Sequence, residues 1–266
     1  MKAMDFQIHE RDLTLLKQDR YTFAVLARII VKPCRLILTD HEKLIICHSD
    51  WPFPVWVWTP DNLSEEEKER AWNIAMEACP LKDGHTYNLK YELAEYFIQK
   101  AKETGQKLSI QTNLFAYDCP KSIVPAVIAD GGLYTCTMED VEQATDFLLS
   151  FGRELDNHGE DAAQKREKAI ECIGDNRFFF WKDASGKVVA SCYFNLSDGL
   201  ACLAGVYTLP EHRRKHYAQN LVYKVSELTR AKGYLPMLYT DADYAASNAC
   251  YTQVGYQLKG KLCTLG

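Results

Sequence analysis

Arg213, Arg214, Lys215 and His216 stand together immediately before a helical run. After them Ala218, Leu221, Val222, Val225 and Leu228 recur at three- and four-residue steps, which predicts an amphipathic helix. The first backbone N–H groups of a helix lack intrahelical partners, and its dipole favours negative charge there. Before the basic group a strand-like run ends in Gly205-Val206-Tyr207-Thr208. A strand, a short loop and a helix start make a ready anion site, and three basic side chains add charge-assisted donors to it. A diphosphate is the natural guest. A solvated run of charge explains the same residues more plainly, so the flanking sequence has to decide.

The whole chain does not share that charge. It has 266 residues and a formal net charge of −5, so an anion would be held by a local site and nucleic acid is a poor expectation. The length suits one large domain or two ordinary ones. The N-terminal residues contain no apolar signal core, and no apolar run is long enough to span a bilayer. The expectation is therefore a cytoplasmic protein with no membrane partner. Ten cysteines are scattered without Cys-x-x-Cys spacing, and no histidine falls at zinc-finger distance from them. They read as small apolar side chains in a reducing compartment, with no metal expected.

The elements that must position the basic loop are legible in outline. In the first half, helices are predicted from Ser64 to about Cys79 and from about Leu89 to Lys102. Strands are predicted at Arg35–Leu38, Leu44–Cys47, Val55–Trp58 and Leu108–Tyr117. Pro120, Pro125 and the Gly131-Gly132 pair mark a boundary. Beyond it come helices at Met138–Gly152 and Asp161–Ile173, then strands at Arg177–Trp181, Val188–Leu196 and Ala201–Thr208. The basic loop and its helix follow, then a strand at Leu235–Tyr239, a helix at Ala245–Val254 and a last strand from Tyr256. Helices and strands mixed in this order imply an α/β layered fold with a mixed sheet. The predicted domains are 1–125 and 132–266.

Two further blocks follow the basic loop at fixed distance: Ser247-Asn248-Ala249-Cys250-Tyr251 and Val254-Gly255-Tyr256. With Arg213-Arg214-Lys215-His216-Tyr217-Ala218 and the Val206-Tyr207-Thr208 strand end, they resemble the GNAT superfamily of acetyl-CoA-dependent N-acetyltransferases. The family pattern at the loop is Arg/Gln-x-x-Gly-x-Gly/Ala, and the resemblance covers roughly residues 132–266. It implies a mostly antiparallel, twisted mixed sheet flanked by helices. It also implies acetyl-CoA as co-substrate, an amine of a small molecule or protein as acceptor, and direct attack of that amine. Val206, Tyr207 and Thr208 would line the pantetheine arm, and Arg213, Arg214, Lys215, His216, Tyr217 and Ala218 would cradle the diphosphate. Asn248 would hold the arm from the far side, and Tyr251 would protonate the departing thiolate. One position departs from the pattern: His216 stands where the family has glycine, which lets backbone approach phosphate closely.

The acceptor's proton has no assigned taker, because the strand Ala201–Thr208 carries no acid; Asp241, Glu154 and Asp156 are the candidates. Cys202 and Cys250 read as buried structural thiols rather than nucleophiles. A non-catalytic CoA-binding sensor on the same fold is the alternative function. In the first half, Val55-Trp56-Val57-Trp58-Thr59-Pro60-Asp61 parallels the Val-Tyr-Thr strand end, but the next helix opens with Ser64-Glu65-Glu66-Glu67, which would repel a diphosphate. Two readings stay open there: a degenerate GNAT-like domain, or an unrelated α/β domain. Trp51, Phe53, Trp56 and Trp58 read as a strand with one face buried. The oligomeric state is not legible.

Overall fold

A computed structural model describes residues 4–155 and 161–266. The chain forms two compact units. The first takes in the described residues up to Ala116, with Thr240–Asp243 and Lys259–Gly266; the second takes in Tyr117–Tyr239 and Tyr244–Leu258. Among the described residues no helix is long and apolar enough to cross a membrane.

The first unit opens with two helices absent from the sequence expectation, α1 (Glu10–Gln18) and α2 (Ala24–Ile29). Strands β1 (Leu36–Thr39), β2 (Ile45–His48) and β3 (Val55–Trp58) form an antiparallel meander. Helix α3 (Glu65–Ala78) crosses to β4 (Tyr87–Leu89), which pairs parallel to β3. Helix α4 (Tyr91–Glu103) and β5 (Ile110–Asp118) follow, and the chain's last strand, β11 (Gln257–Leu265), pairs antiparallel to β4. The tryptophan strand departs from expectation, because all four residues of β3 are buried. Val55 and Val57 enter the core that carries α3 and α4. Trp56 packs edge-on against Phe23, and Trp58 donates from Nε1 to Asp19 at 3.2 Å. A strand covered on both faces loses its polar alternation, so one-sided burial was the wrong inference.

The second unit begins with β6 (Gly132–Thr135), then α5 (Val141–Glu154) and α6 (Ala162–Gly174). Next come β7 (Phe178–Lys182), β8 (Val188–Ser197) and β9 (Leu200–Thr208), then α7 (Tyr217–Ala231), β10 (Leu235–Asp241) and α8 (Ala245–Val254). Strands β6 to β9 are antiparallel neighbours, and β10 lies parallel to β9. The period of two in Phe178-Phe179-Phe180-Trp181 feeds both faces. Phe178 and Phe180 join the α5–α6 core, whereas Phe179 and Trp181 join the α7–α8 core. The boundary segment is packed rather than loose. Arg230 donates to the Cys119 carbonyl at 2.8 Å, Asn220 to the Val127 carbonyl at 2.9 Å, and Trp181 to the Asp130 carbonyl at 2.7 Å.

The pairing of β8 and β9 shifts register between Ser191 and Tyr193. In this bulge Gly205 holds φ +59°, and the Ser191 hydroxyl donates to its carbonyl at 3.0 Å. A Cβ at Gly205 would meet the Tyr193 ring at 2.6 Å. Glycine is thus required twice over, by dihedral and by space. Gly205→Ala is expected to cost about 1–3 kcal/mol of stability in chemical denaturation; an unchanged midpoint would remove the bulge from the account. On α6, burial works to raise the Glu171 carboxyl, but Lys168 at 2.9 Å and Arg177 at 3.1 Å outweigh it and bring it from 4.5 down to about 2. A depressed acid stabilises fully above its unfolded value and loses that contribution as pH falls towards the folded one. Glu171→Gln should therefore flatten the loss of stability measured between pH 4.5 and about 2.

Candidate active site

Strands β9 and β10 are registered from Leu200↔Leu235 to Leu203↔Leu238. Strand β9 then runs on to Thr208 with its pairing to β8 alone, through Ala190↔Thr208 and Ser191↔Tyr207. The bulge at Gly205 falls where the two strands part. Backbone groups of β9 on the β10 side are thereby left for something other than a strand. Side chains beyond the bulge divide between the faces. Val206 packs on the α7 core, while Tyr207 lies buried beside Phe147 and Phe151, with ring centroids 6.0 and 6.5 Å away. The Thr208 hydroxyl is buried and has no hydrogen-bond partner among the described residues.

The loop to α7 passes through a tight turn at Pro210–His212 and reaches the helix N-cap at His216. His216 adopts φ +63°, ψ 9°, the left-handed conformation that glycine takes freely, and Arg214 adopts φ +59°. Each such residue costs roughly 1 kcal/mol. The loop is held there from the helix: the Asn220 backbone N–H and side-chain amide donate to the His216 carbonyl at 3.1 and 3.0 Å. His216 makes no side-chain cap, and the first turn of α7 holds no acid. The first amides of a fifteen-residue helix are consequently not capped by a side chain.

The basic side chains do different things. Arg214 and Lys215 are exposed and, among the described residues, take part in no ion pair. Arg213 is committed: it pairs with Glu154 at the end of α5, donates from Nε to the Thr208 carbonyl at 3.1 Å, and covers the Tyr207 ring at 5.7 Å. Glu154 also accepts from the Tyr244 hydroxyl at 3.4 Å. Tyr217 points away from the cradle and donates to Asp130 at 2.6 Å, a bond that pushes its phenol up to about 12. Ala218 is half-buried in the first turn.

Asn248 and Tyr251 lie one turn apart on α8. Asn248 is half-buried in the helix body, so it is not the N-cap; Tyr244 is. Tyr251 is 8% exposed, in the core that also carries Val206. Burial raises its phenol well above 10, with Ser247 bonded to it and working the other way. Cys250 is pushed up to about 11 by burial, which keeps it a thiol. Of the candidate bases, Glu154 serves Arg213 and Asp156 lies outside the described residues. Asp241 accepts from the Asp243 backbone at 3.1 Å. Asp130, Asn220 and Tyr244 were not foreseen, since partners 87, 93 and 90 residues apart leave no local signal.

Residues 141–256 match the model of the acetyltransferase (GNAT) family. Over residues 141–256 the chain carries a GNAT-family domain. The GNAT acetyltransferase from Colwellia psychrerythraea superposes over 99% of this chain and 98% of its own, with a TM-score of 0.62 at 11% identity. The GCN5-related N-acetyltransferase from Sphaerobacter thermophilus covers 80% of this chain and 71% of its own, with a TM-score of 0.63 at 13% identity. A tandem GNAT protein from the clavulanic acid biosynthesis pathway covers 99% of this chain and 98% of its own, with a TM-score of 0.55 at 12% identity. At these identities the likeness is one of fold. No curated protein sequence matches the chain. The mixed, mostly antiparallel sheet expected from the sequence is the one observed, and the likeness to a tandem protein is consistent with two GNAT-like halves.

The strained cap yields a direct test. His216→Gly should be more stable than His216→Ala by about 1 kcal/mol in urea denaturation, since only alanine keeps a Cβ in the left-handed region. The reverse order would mean that the loop does not hold this dihedral.

Proposed function

We propose that the second unit binds acetyl-CoA and transfers its acetyl group to a primary amine. The observation that carries this reading is the meeting of three features at one place. Strand β9 is opened by the Gly205 bulge, the start of α7 is not capped by a side chain, and Arg214 and Lys215 have no ion-pair partner among the described residues. Backbone donors, a favourable dipole and free guanidinium and ammonium groups suit a diphosphate. The partnerless Thr208 hydroxyl and the open edge of β9 suit the amides of a pantetheine arm.

Bound there, acetyl-CoA would supply an activated thioester carbonyl. The acceptor nitrogen forms the new C–N bond, the C–S bond breaks, and sulfur leaves with the electron pair. Tyr251 gives its phenolic proton to that sulfur. Burial keeps the phenol protonated at neutral pH, and the same dry surroundings raise the proton affinity of a thiolate held beside it. The proton lost by the amine goes to water, because no described acid is free to take it on β9.

The first unit runs through the same order as the second: two helices, an antiparallel meander, a helix, a parallel strand and a further helix. We read it as a GNAT-like domain that has lost its cofactor. Trp56 takes the place of Gly205, so β3 has no bulge glycine. Ser64 and Glu67 form a capping box that satisfies the start of α3, at 3.3 and 2.9 Å. A cavity of about 250 Å³ there is lined by Asp40, Glu42 and Glu67 with Lys43 and Arg70, and both basic groups are already paired, Lys43 with Glu67 and Arg70 with Asp40.

A second reading, a CoA sensor without turnover, is favoured by the Arg213–Glu154 pair and by the missing acid on β9. Calorimetry with acetyl-CoA and thiol release against a panel of amines separate the two. Binding with turnover is expected, and binding without turnover across the panel would favour the sensor. Tyr251→Phe should lower turnover by about 100-fold or more. Arg214→Ala with Lys215→Ala should weaken acetyl-CoA by roughly 10-fold per charge while leaving acetyl-pantetheine unaffected. Equal losses for both ligands would overturn the cradle.

A further inference from the structure

Three potential metal ligands converge in the first unit, Cys79 and His85 from one short stretch of chain and His48 from an earlier strand. His48 ends β2, Cys79 caps the C-terminus of α3, and His85 precedes β4. Their ligand atoms all lie within 4.8 Å of one another. His48 and Cys79 are 1% and 2% exposed, and His85 is half-buried. All three line one cavity of about 410 Å³, with Arg35 and Asp83 on its wall and Trp51 at its edge.

The hydrogen bonds leave the right atoms free. His48 Nε2 is buried without a hydrogen-bond partner among the described residues. A buried imidazole nitrogen left unpaired costs free energy that a ligand would recover. His85 Nδ1 lies 3.1 Å from the Pro80 carbonyl. A carbonyl only accepts, so Nδ1 carries the proton and the Nε2 lone pair is available. A metal-binding histidine is commonly oriented by donating its second N–H to a backbone carbonyl. Cys79 is held in place by its own backbone, since its N–H bonds to the Ala75 carbonyl and Tyr87 donates to its carbonyl oxygen. It also sits at the negative end of the α3 dipole, whose last turn has no basic residue to offset it.

We propose that His48, Cys79 and His85 form a binding site for a zinc-class divalent ion, with a fourth position open to the cavity. Two imidazoles and a thiolate are the donor set of borderline-soft ions rather than of calcium or magnesium. Tetrahedral bonds of about 2.0–2.3 Å place ligands about 3.3–3.8 Å apart, so small side-chain rotations close the present spacing. On binding, the Cys79 thiol gives up its proton to solvent and its sulfur becomes a thiolate ligand. Arg35 on the cavity wall suits an anionic or water ligand at the fourth position.

The test uses the full-length protein, kept reduced, stripped with a chelator and titrated with cobalt(II) chloride. One equivalent is expected to bind with a thiolate-to-cobalt charge-transfer band and the intense visible bands of tetrahedral cobalt, and zinc(II) should displace it. Cys79→Ser should abolish the charge-transfer band, His48→Gln and His85→Gln should each weaken binding by at least about 10-fold, and Cys34→Ser should leave both unchanged. Zinc(II) should also raise the melting temperature of the parent protein and fail to raise that of His85→Gln, a change at a half-exposed position that the fold should accept. Absence of a charge-transfer band, or its survival in Cys79→Ser, overturns the site. An equal thermal shift in His85→Gln would do the same.

Discussion

The parting of β9 from β10 is the constraint on which the second unit depends. A parallel pair normally satisfies backbone groups along its full length, and here it stops at Leu203↔Leu238. The cause is local. Gly205 takes a left-handed dihedral, the Ser191 hydroxyl holds its carbonyl, and the Tyr193 ring occupies the space a side chain would need. With the strand bent away, its edge is open over Val206–Thr208, and the chain is delivered to the start of α7. Everything proposed about a pantetheine arm and a diphosphate follows from backbone freed by that one bend.

Charge at the start of α7 is divided rather than pooled. Arg214 and Lys215 remain free, whereas Arg213 is drawn to Glu154 and the Thr208 carbonyl. An ion pair about one-third exposed on both sides is worth little in stability, so it can yield to a better anion. The loop also carries two left-handed residues with side chains, which the helix holds through Asn220. The first unit shows the opposite electrostatic choice on the same order of elements. There the helix start is sealed by Ser64 and Glu67, and the strand before it is filled by tryptophan. The same order of elements thus carries opposite charge at the two helix starts, and fold alone does not fix what a helix end binds.

Much of the fold was legible locally. Val55–Trp58 and Ala245–Val254 were predicted residue for residue, and α3, α6 and β8 to within one residue at each end. Helices α1 and α2 and the short strands β4 and β6 were not. Strand β4 has three residues, all buried, of which only Leu89 falls in the helix that the sequence predicts. It is a strand because β3 and the chain's last strand lie on either side of it, and neither neighbour is visible in a three-residue window. The one-sided burial inferred for β3 failed for the same reason: helices cover both of its faces.

The amino-acid order by itself determined the helix and strand periodicities, the basic loop with its flanking motifs, and hence the family resemblance of residues 132–266. These are properties of residues close together in the chain, where side-chain spacing maps onto one helix face or strand face. Only the tertiary structure decided that Arg213 is paired, that His216 accepts a glycine-like dihedral, and that Tyr217 answers to Asp130. It alone brought His48, Cys79 and His85 to one cavity. Such meetings are set by how elements pack, and packing joins residues that sequence spacing keeps apart.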